Sequence, residues 1–200
     1  MSKGTSKRAF LADLHQQIAA HCETVVNTFC PLDMAQLGWQ PVVKGKAKWS
    51  ILQCFDHLNL THEYYTAKLT APLADAPRVR ECQGGYRPSL WGGIYMYFSL
   101  NPTYSFPSPE PITPATLPHR TVLSSYLACQ EALLQLCETV EPVDLVKTLI
   151  PIENFVKFNL GDCLKSLVYH DELHIGQALR VYAQIAQQAG YPEDSPIPAR

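Results

Sequence analysis

The sequence predicts an all-α protein, a four-helix bundle with a long proline-rich crossover between its second and third helices. Three observations lead there. Four segments repeat apolar residues at spacings of three and four, the period of an amphipathic helix. No stretch shows the sustained alternation of a half-buried strand. Nine of the sixteen prolines fall between Pro72 and Pro118, which forbids a long uninterrupted helix across that stretch. At 200 residues, with 46% hydrophobic and 17% charged side chains, the chain can bury one substantial core, so a single domain over residues 1–200 is expected.

The first helix is expected from Lys7 to Phe29, where Phe10, Leu11, Leu14, Ile18, Cys22, Val25, Val26 and Phe29 recur on one face and Pro31 ends the run. The second begins within "KWSILQCFDHLNLTHEYYTAKL". Ser50 is placed to cap it, Gln53 to complete a capping box, and it should run to about Leu69, before Pro72. The crossover, residues 72–118, carries Trp91, Tyr95, Tyr97, Phe98, Tyr104 and Phe106, whose apolar area is expected to pack against the domain, with at most a short helix in 89–100. A loop of this length is often functional. The third helix spans residues 120–140, with Val122, Leu123, Tyr126, Leu127, Leu133, Leu134, Leu136 and Cys137 on a wide apolar face. Residues 141–158 read equally as a short helix or as two extended segments punctuated by Pro151. The last helix is capped by Asn159, has Asp162 in its first turn and is closed by Gly190 and Pro192. At about 30 residues it would be roughly 45 Å long.

Composition also excludes partners. The formal net charge is −2 and the basic residues are scattered apart from Lys44, Lys46 and Lys48, so the basic stripe that nucleic acid requires is missing. No run approaches the roughly 18 to 20 apolar residues of a membrane span, and "MSKGTSKRAF" has no apolar segment after its charges; a cytoplasmic location is expected. Seven cysteines, an odd number without a C-x-x-C pair, read as reduced structural thiols.

The chemistry concentrates in histidines. His170 and His174, four apart in "LVYHDELHIGQALRV", share one face of the last helix about a turn apart and could reach a single ion. The pair alone is a weak signal, since exposed histidines on helices are ordinary. Yet both border the stripe of Leu160, Leu164, Leu167, Ile175, Ala178 and Val181, and inward imidazoles need partners for both ring nitrogens. The third ligand candidate is His57, with His62 its serious rival. His15 and His21 read as solvated or hydrogen-bonded structural residues and His119 as a surface or capping residue.

"KWSILQCFDHL" at 48–58 and "FNLGDCLKSLVYHDELHIGQALRV" at 158–181 resemble the second and last helices of the DinB-like (DinB/YfiT) superfamily, in their order and separation as well as their residues. The resemblance implies a four-helix bundle, often a homodimer, holding a divalent metal on three histidines. Carried over by position, these are His57, His170 and His174, with Gln177 beside them as a supporting group rather than a ligand. Leu173 stands where many relatives have an arginine, which weakens any transfer of substrate preference.

Three neutral donors would leave an ion its double charge and an open position, the pattern of catalytic rather than structural zinc sites. Imidazoles suit zinc or nickel, with iron or manganese also compatible. Asp56 and Asp171 each sit one residue from a ligand, about 100° around the helix, and are weak candidates for a general base; Glu153 reads as a surface residue. Gln53, Thr61, Ser166 and Cys163 lie on the ligand faces and are candidates to line a pocket. The resemblance to the DinB-like superfamily then implies a metal-dependent transferase or hydrolase acting on a small molecule, with a low-molecular-weight thiol as one co-substrate class. The alternative is a non-enzymatic helical bundle in stress response, with a structural or sensory metal or none, acting through dimerisation.

Overall fold

The computed structural model describes residues 5–79, 85–99, 108–153 and 156–188. Among these, seven α-helices and a few short strands make an all-α fold. Four helices are long: α1 (Lys7–Thr24), α3 (Ile51–Ala67), α6 (Thr121–Thr139) and α7 (Leu160–Gln188). The first continues into a π-helical turn, Val25–Phe29, so the expected run ends where predicted but with its last turn widened. A short α2 (Met34–Gly38) and a hairpin of β2 (Val42–Val43) and β3 (Lys46–Ala47) lead into α3. The hairpin turns through Lys44 and Gly45, both at positive φ (51° and 74°), as a tight two-residue turn demands. Ser50 accepts from Gln53 N–H at 3.2 Å while Gln53 Oε1 accepts from Ser50 N–H at 3.1 Å. The predicted capping box is therefore present and fixes where α3 begins.

The crossover contains α4 (Thr70–Ala74), strand β4 (Gly85–Tyr86), which pairs with β1 (Thr5–Ser6), α5 (Leu90–Ser99) and a 3₁₀ turn at Glu110–Ile112. Pro72 does not end the second helix; α3 has already stopped at Ala67, and Pro72 lies in the first turns of α4, where its missing N–H matters least. The expected burial of the aromatics is met only in part. Tyr95 packs on Phe158, ring centroids 5.2 Å apart, but Trp91, Tyr97 and Phe98 are 53%, 62% and 42% exposed. Tyr104 and Phe106, like Cys82 and the expected helix stop at Gly190 and Pro192, lie outside the described residues. The ambiguous segment resolves as a hairpin, β5 (Leu149–Glu153) with β6 (Val156–Asn159), bulged between Pro151 and Glu153. A bulge is one of the few places a sheet tolerates proline.

The hairpin delivers the chain directly into α7, whose start is closely packed. Asn159 Oδ1 accepts from Asp162 N–H at 2.7 Å, the predicted cap. Asp162 does more than favour the helix dipole: fully buried, its carboxylate accepts from Tyr86 O–H at 3.0 Å and from Ser89 N–H at 3.1 Å. The crossover approaches so closely that a Cβ on Gly92 would sit 2.3 Å from the Asp162 carboxylate, and one on Gly161 2.3 Å from the Tyr86 ring. Only glycine fits at either point.

Helix α1 packs on α6 and α7, and α3 packs on the same two. The core divides into two apolar clusters. One takes Phe10, Leu14 and Ile18 of α1, Leu133 and Cys137 of α6, and Leu160, Leu164 and Val168 of α7. The other takes Val25 and Phe29, then Ile51, Phe55 and Leu58 of α3, Val122 and Tyr126 of α6, and Ile175, Ala178 and Val181 of α7. Helices α1 and α7 therefore run from the first cluster to the second, while α3 and α6 run back. At the junction each long helix contributes buried polar residues: His21 from α1, His57, Thr61 and His62 from α3, Gln130 from α6, and Asp171 and His174 from α7. Between two apolar clusters, such a layer persists only if its members satisfy one another or a ligand.

Candidate metal centre

Within this layer α3 and α7 bring three imidazoles together. One ring nitrogen from each of His57, His170 and His174 lies within 4.8 Å of the others. The ring centroids are 5.1 Å apart for His57 and His170, and 4.5 Å apart for each of the other two pairs. His57 is 2% exposed and His174 9%; His170 is half-buried. The i, i+4 spacing stacks the α7 pair on one face, and Ser50 sets the phase of α3 that turns His57 toward them.

Hydrogen bonds assign the free nitrogens. His57 Nδ1 donates to the Ile112 carbonyl at 2.6 Å, and His174 Nδ1 donates to Gln177 Oε1 at 3.1 Å. Each therefore presents an Nε2 lone pair to the centre. His57 Nε2 and His170 Nε2 are 3.0 Å apart. Donors sharing an ion at about 2.1 Å stand about 3.0 to 3.4 Å apart in octahedral or tetrahedral arrangement, so this edge already has the right length. Burial lowers the pKa of all three rings, against a smaller opposing effect of the Ile112 bond on His57. For His170 the next cause is the neighbouring His174, and for His174, pushed down to about 3, it is His57. All three are neutral at pH 7, the state in which imidazole binds metal. The donor set and its charge fit a divalent ion.

The indole of Trp49, half-buried, stands 5.0 Å from the His57 ring and 5.8 Å from that of His174. Trp49 and the Ile112 carbonyl were not singled out as site groups from sequence. Trp49 had a readable signal, lying one residue before the cap of the ligand helix; a backbone carbonyl 55 residues away has none.

The other candidates fall as follows. Gln177 bonds His174 directly. Gln53 closes the capping box and donates to the Ala115 carbonyl at 3.2 Å, so it fastens the crossover rather than facing the histidines. Thr61 bonds back to the His57 carbonyl at 2.7 Å and, with Cys163 and Ser166, lines a cavity of about 30 Å³ against His170. The Cys163 thiol is pushed far above its usual pKa, chiefly by burial, and it is not among the side chains that converge with the three histidines. Asp56 accepts from Ala115 N–H at 2.7 Å, which occupies it in holding the crossover. The Glu153 side chain lies outside the described residues.

His62 is not part of the trio. It faces the fully buried Asp171, Nε2 to carboxylate oxygens at 2.9 and 3.0 Å, and Gln130 Nε2 donates to the same carboxylate at 2.9 Å. Sequence reading treated Asp171 as a weak base candidate and missed that it joins three helices. His21, expected to be solvated or hydrogen-bonded, is 8% exposed, with its Nδ1 buried and unpartnered. His119 is exposed and accepts from Thr121 N–H at 3.3 Å, a capping role.

The model of the DinB superfamily matches residues 14–178, a span that includes all of α3, α7 as far as Ala178 with both of its histidines, and everything between them. The chain belongs to the DinB superfamily. No individual curated protein and no solved structure matches it. Membership joins a shared fold to a three-histidine group that could hold a metal ion. Among the described residues of this DinB-superfamily chain no helix is long and apolar enough to cross a membrane.

Proposed function

We propose that His57, His170 and His174 hold one divalent metal ion and that the protein is a metal-dependent enzyme of transferase or hydrolase type. The observation that supports this most is the convergence of three neutral imidazoles, two of them already fixed in the tautomer that frees Nε2. Zinc or nickel suits the donor set best, with iron or manganese compatible. A bound ion would supply a localised double charge and a position not taken by protein, able to polarise a substrate or acidify a thiol or water.

The chain's own groups prepare that position. The Ile112 carbonyl and Gln177 hold two rings in place, as outer partners of metal-bound histidines commonly do. Trp49 packs its indole against the His57 and His174 rings. No carboxylate belongs to the trio, so an ion there would keep its full charge. The substrate is proposed to be a small molecule, with a low-molecular-weight thiol as co-substrate, and the working form a homodimer. A second reading, a non-catalytic bundle with a structural or sensory metal, draws on one observation. The cavity beside His170, about 30 Å³, has room for water rather than for an organic substrate.

The test is the metal content of protein purified without chelator or added metal, compared with His57→Ala and His170→Ala. Near one equivalent in the wild type and a trace in both variants is expected; equal content in all three refutes the site. Metal-loaded protein is then offered glutathione, bacillithiol and mycothiol with reactive electrophiles. Conjugation that the variants lose supports the transferase reading, and its absence with every thiol favours hydrolysis or the non-catalytic alternative.

A further inference from the structure

The hydrogen bonds of the trio place a proton where a metal would need a lone pair. His57 Nδ1 donates to a carbonyl, which can only accept, so His57 Nε2 carries no proton. Without a metal, the 3.0 Å contact between His57 Nε2 and His170 Nε2 is a hydrogen bond whose proton comes from His170. In that tautomer His170 Nδ1 is bare, and it is buried with no protein partner. For His170 to ligate through Nε2, that proton must leave and one must arrive on Nδ1, the ring remaining neutral throughout. A buried Nδ1–H in turn needs an acceptor.

The cavity against His170 supplies one. Its walls are largely apolar, formed by Leu69, Ile152, Phe158 and Leu167, yet Ser166 Oγ is also buried there without a partner. Ser166 is 9% exposed and stands one turn before His170 on the same face of α7. Thr61 Oγ1 spends its proton on the His57 carbonyl and keeps lone pairs to accept with. At about 30 Å³ the space exceeds the roughly 10–15 Å³ a water needs, and His170, Ser166 and Thr61 between them can supply the usual number of bonds to a buried water.

We propose that this cavity is a water-sized site whose occupant accepts the Nδ1 proton of His170, and that Ser166 thereby positions His170 for metal by stabilising the tautomer with a free Nε2. The inference rests on the metal reading above and adds to it a tautomer change on loading, with a named residue that governs it.

Protein labelled with ¹⁵N in its imidazoles is measured by NMR with and without one equivalent of zinc, and zinc affinity is read by chelator competition for wild type, Ser166→Ala and Ser166→Thr. Expected is an Nε2–H His170 in the metal-free protein that becomes Nδ1–H on loading. Ser166→Ala should bind zinc about 10- to 100-fold more weakly, with Ser166→Thr recovering most of the loss because it retains the hydroxyl. Unchanged His57 ring signals in each variant verify that the fold is intact. The inference is overturned if metal-free His170 already carries its proton on Nδ1, or if Ser166→Ala binds zinc within about threefold of wild type. A wild type that takes up no zinc overturns the metal reading and this one with it, so the two failures are told apart on the unmutated protein.

Discussion

At the residue scale, burial makes each candidate ligand a neutral base. His174, 9% exposed and beside His57, is pushed down to about 3 from an ordinary value near 6.5, first by desolvation and then by its neighbour. Its folded-state pKa lies below its unfolded one, so its contribution to stability is complete above pH 6.5 and is lost as pH falls from there toward 3. A fall of that size corresponds to about 5 kcal/mol, part of it set by His57. Metal-free protein is therefore expected to lose stability steeply below pH 6.5 in urea titrations, and His174→Phe to flatten that dependence; identical pH profiles would contradict it. The ligands themselves were readable because i, i+4 spacing on a helix is local geometry. Their partners were not. Nothing adjoining His62 in sequence announces that its counterpart is Asp171, 109 residues away.

Elements were legible where local chemistry decides them. The Ser50–Gln53 box and the Asn159 cap lie within four residues of chain and appear where expected. The β5–β6 hairpin was left open because its segments are short, and pairing, which sequence does not display, decides between helix and strand. The outward Trp91, Tyr97 and Phe98 defied the rule that aromatics bury, since the inner face of α5 is given to Gly92 against Asp162 and Tyr95 against Phe158. Elements are also locked to one another by polar bonds, and Asp171 is the test of this. Its carboxylate accepts hydrogen bonds from His62 of α3 and Gln130 of α6, fully out of water. Asp171→Ala leaves both donors unpaired in the core and is expected to cost about 3–5 kcal/mol in urea unfolding. A loss under about 1 kcal/mol would mean that apolar packing alone sets the rotation of α7.

Over the whole molecule, two apolar clusters sandwich a polar layer to which all four long helices contribute. The helical period marked the apolar faces that fill the clusters but not their division in two, and the layer arises only when antiparallel helices bring positions 21, 57–62, 130 and 170–174 to one level. That level is where the three histidines meet, and the claim that they form one metal site bears every functional statement made here. X-ray absorption on protein loaded with one equivalent of zinc tests it directly. Three imidazole nitrogens at about 2.0–2.1 Å, completed by a non-protein oxygen or nitrogen, are predicted. Sulfur scattering near 2.3 Å, or an imidazole count that His57→Ala leaves unchanged, would contradict it.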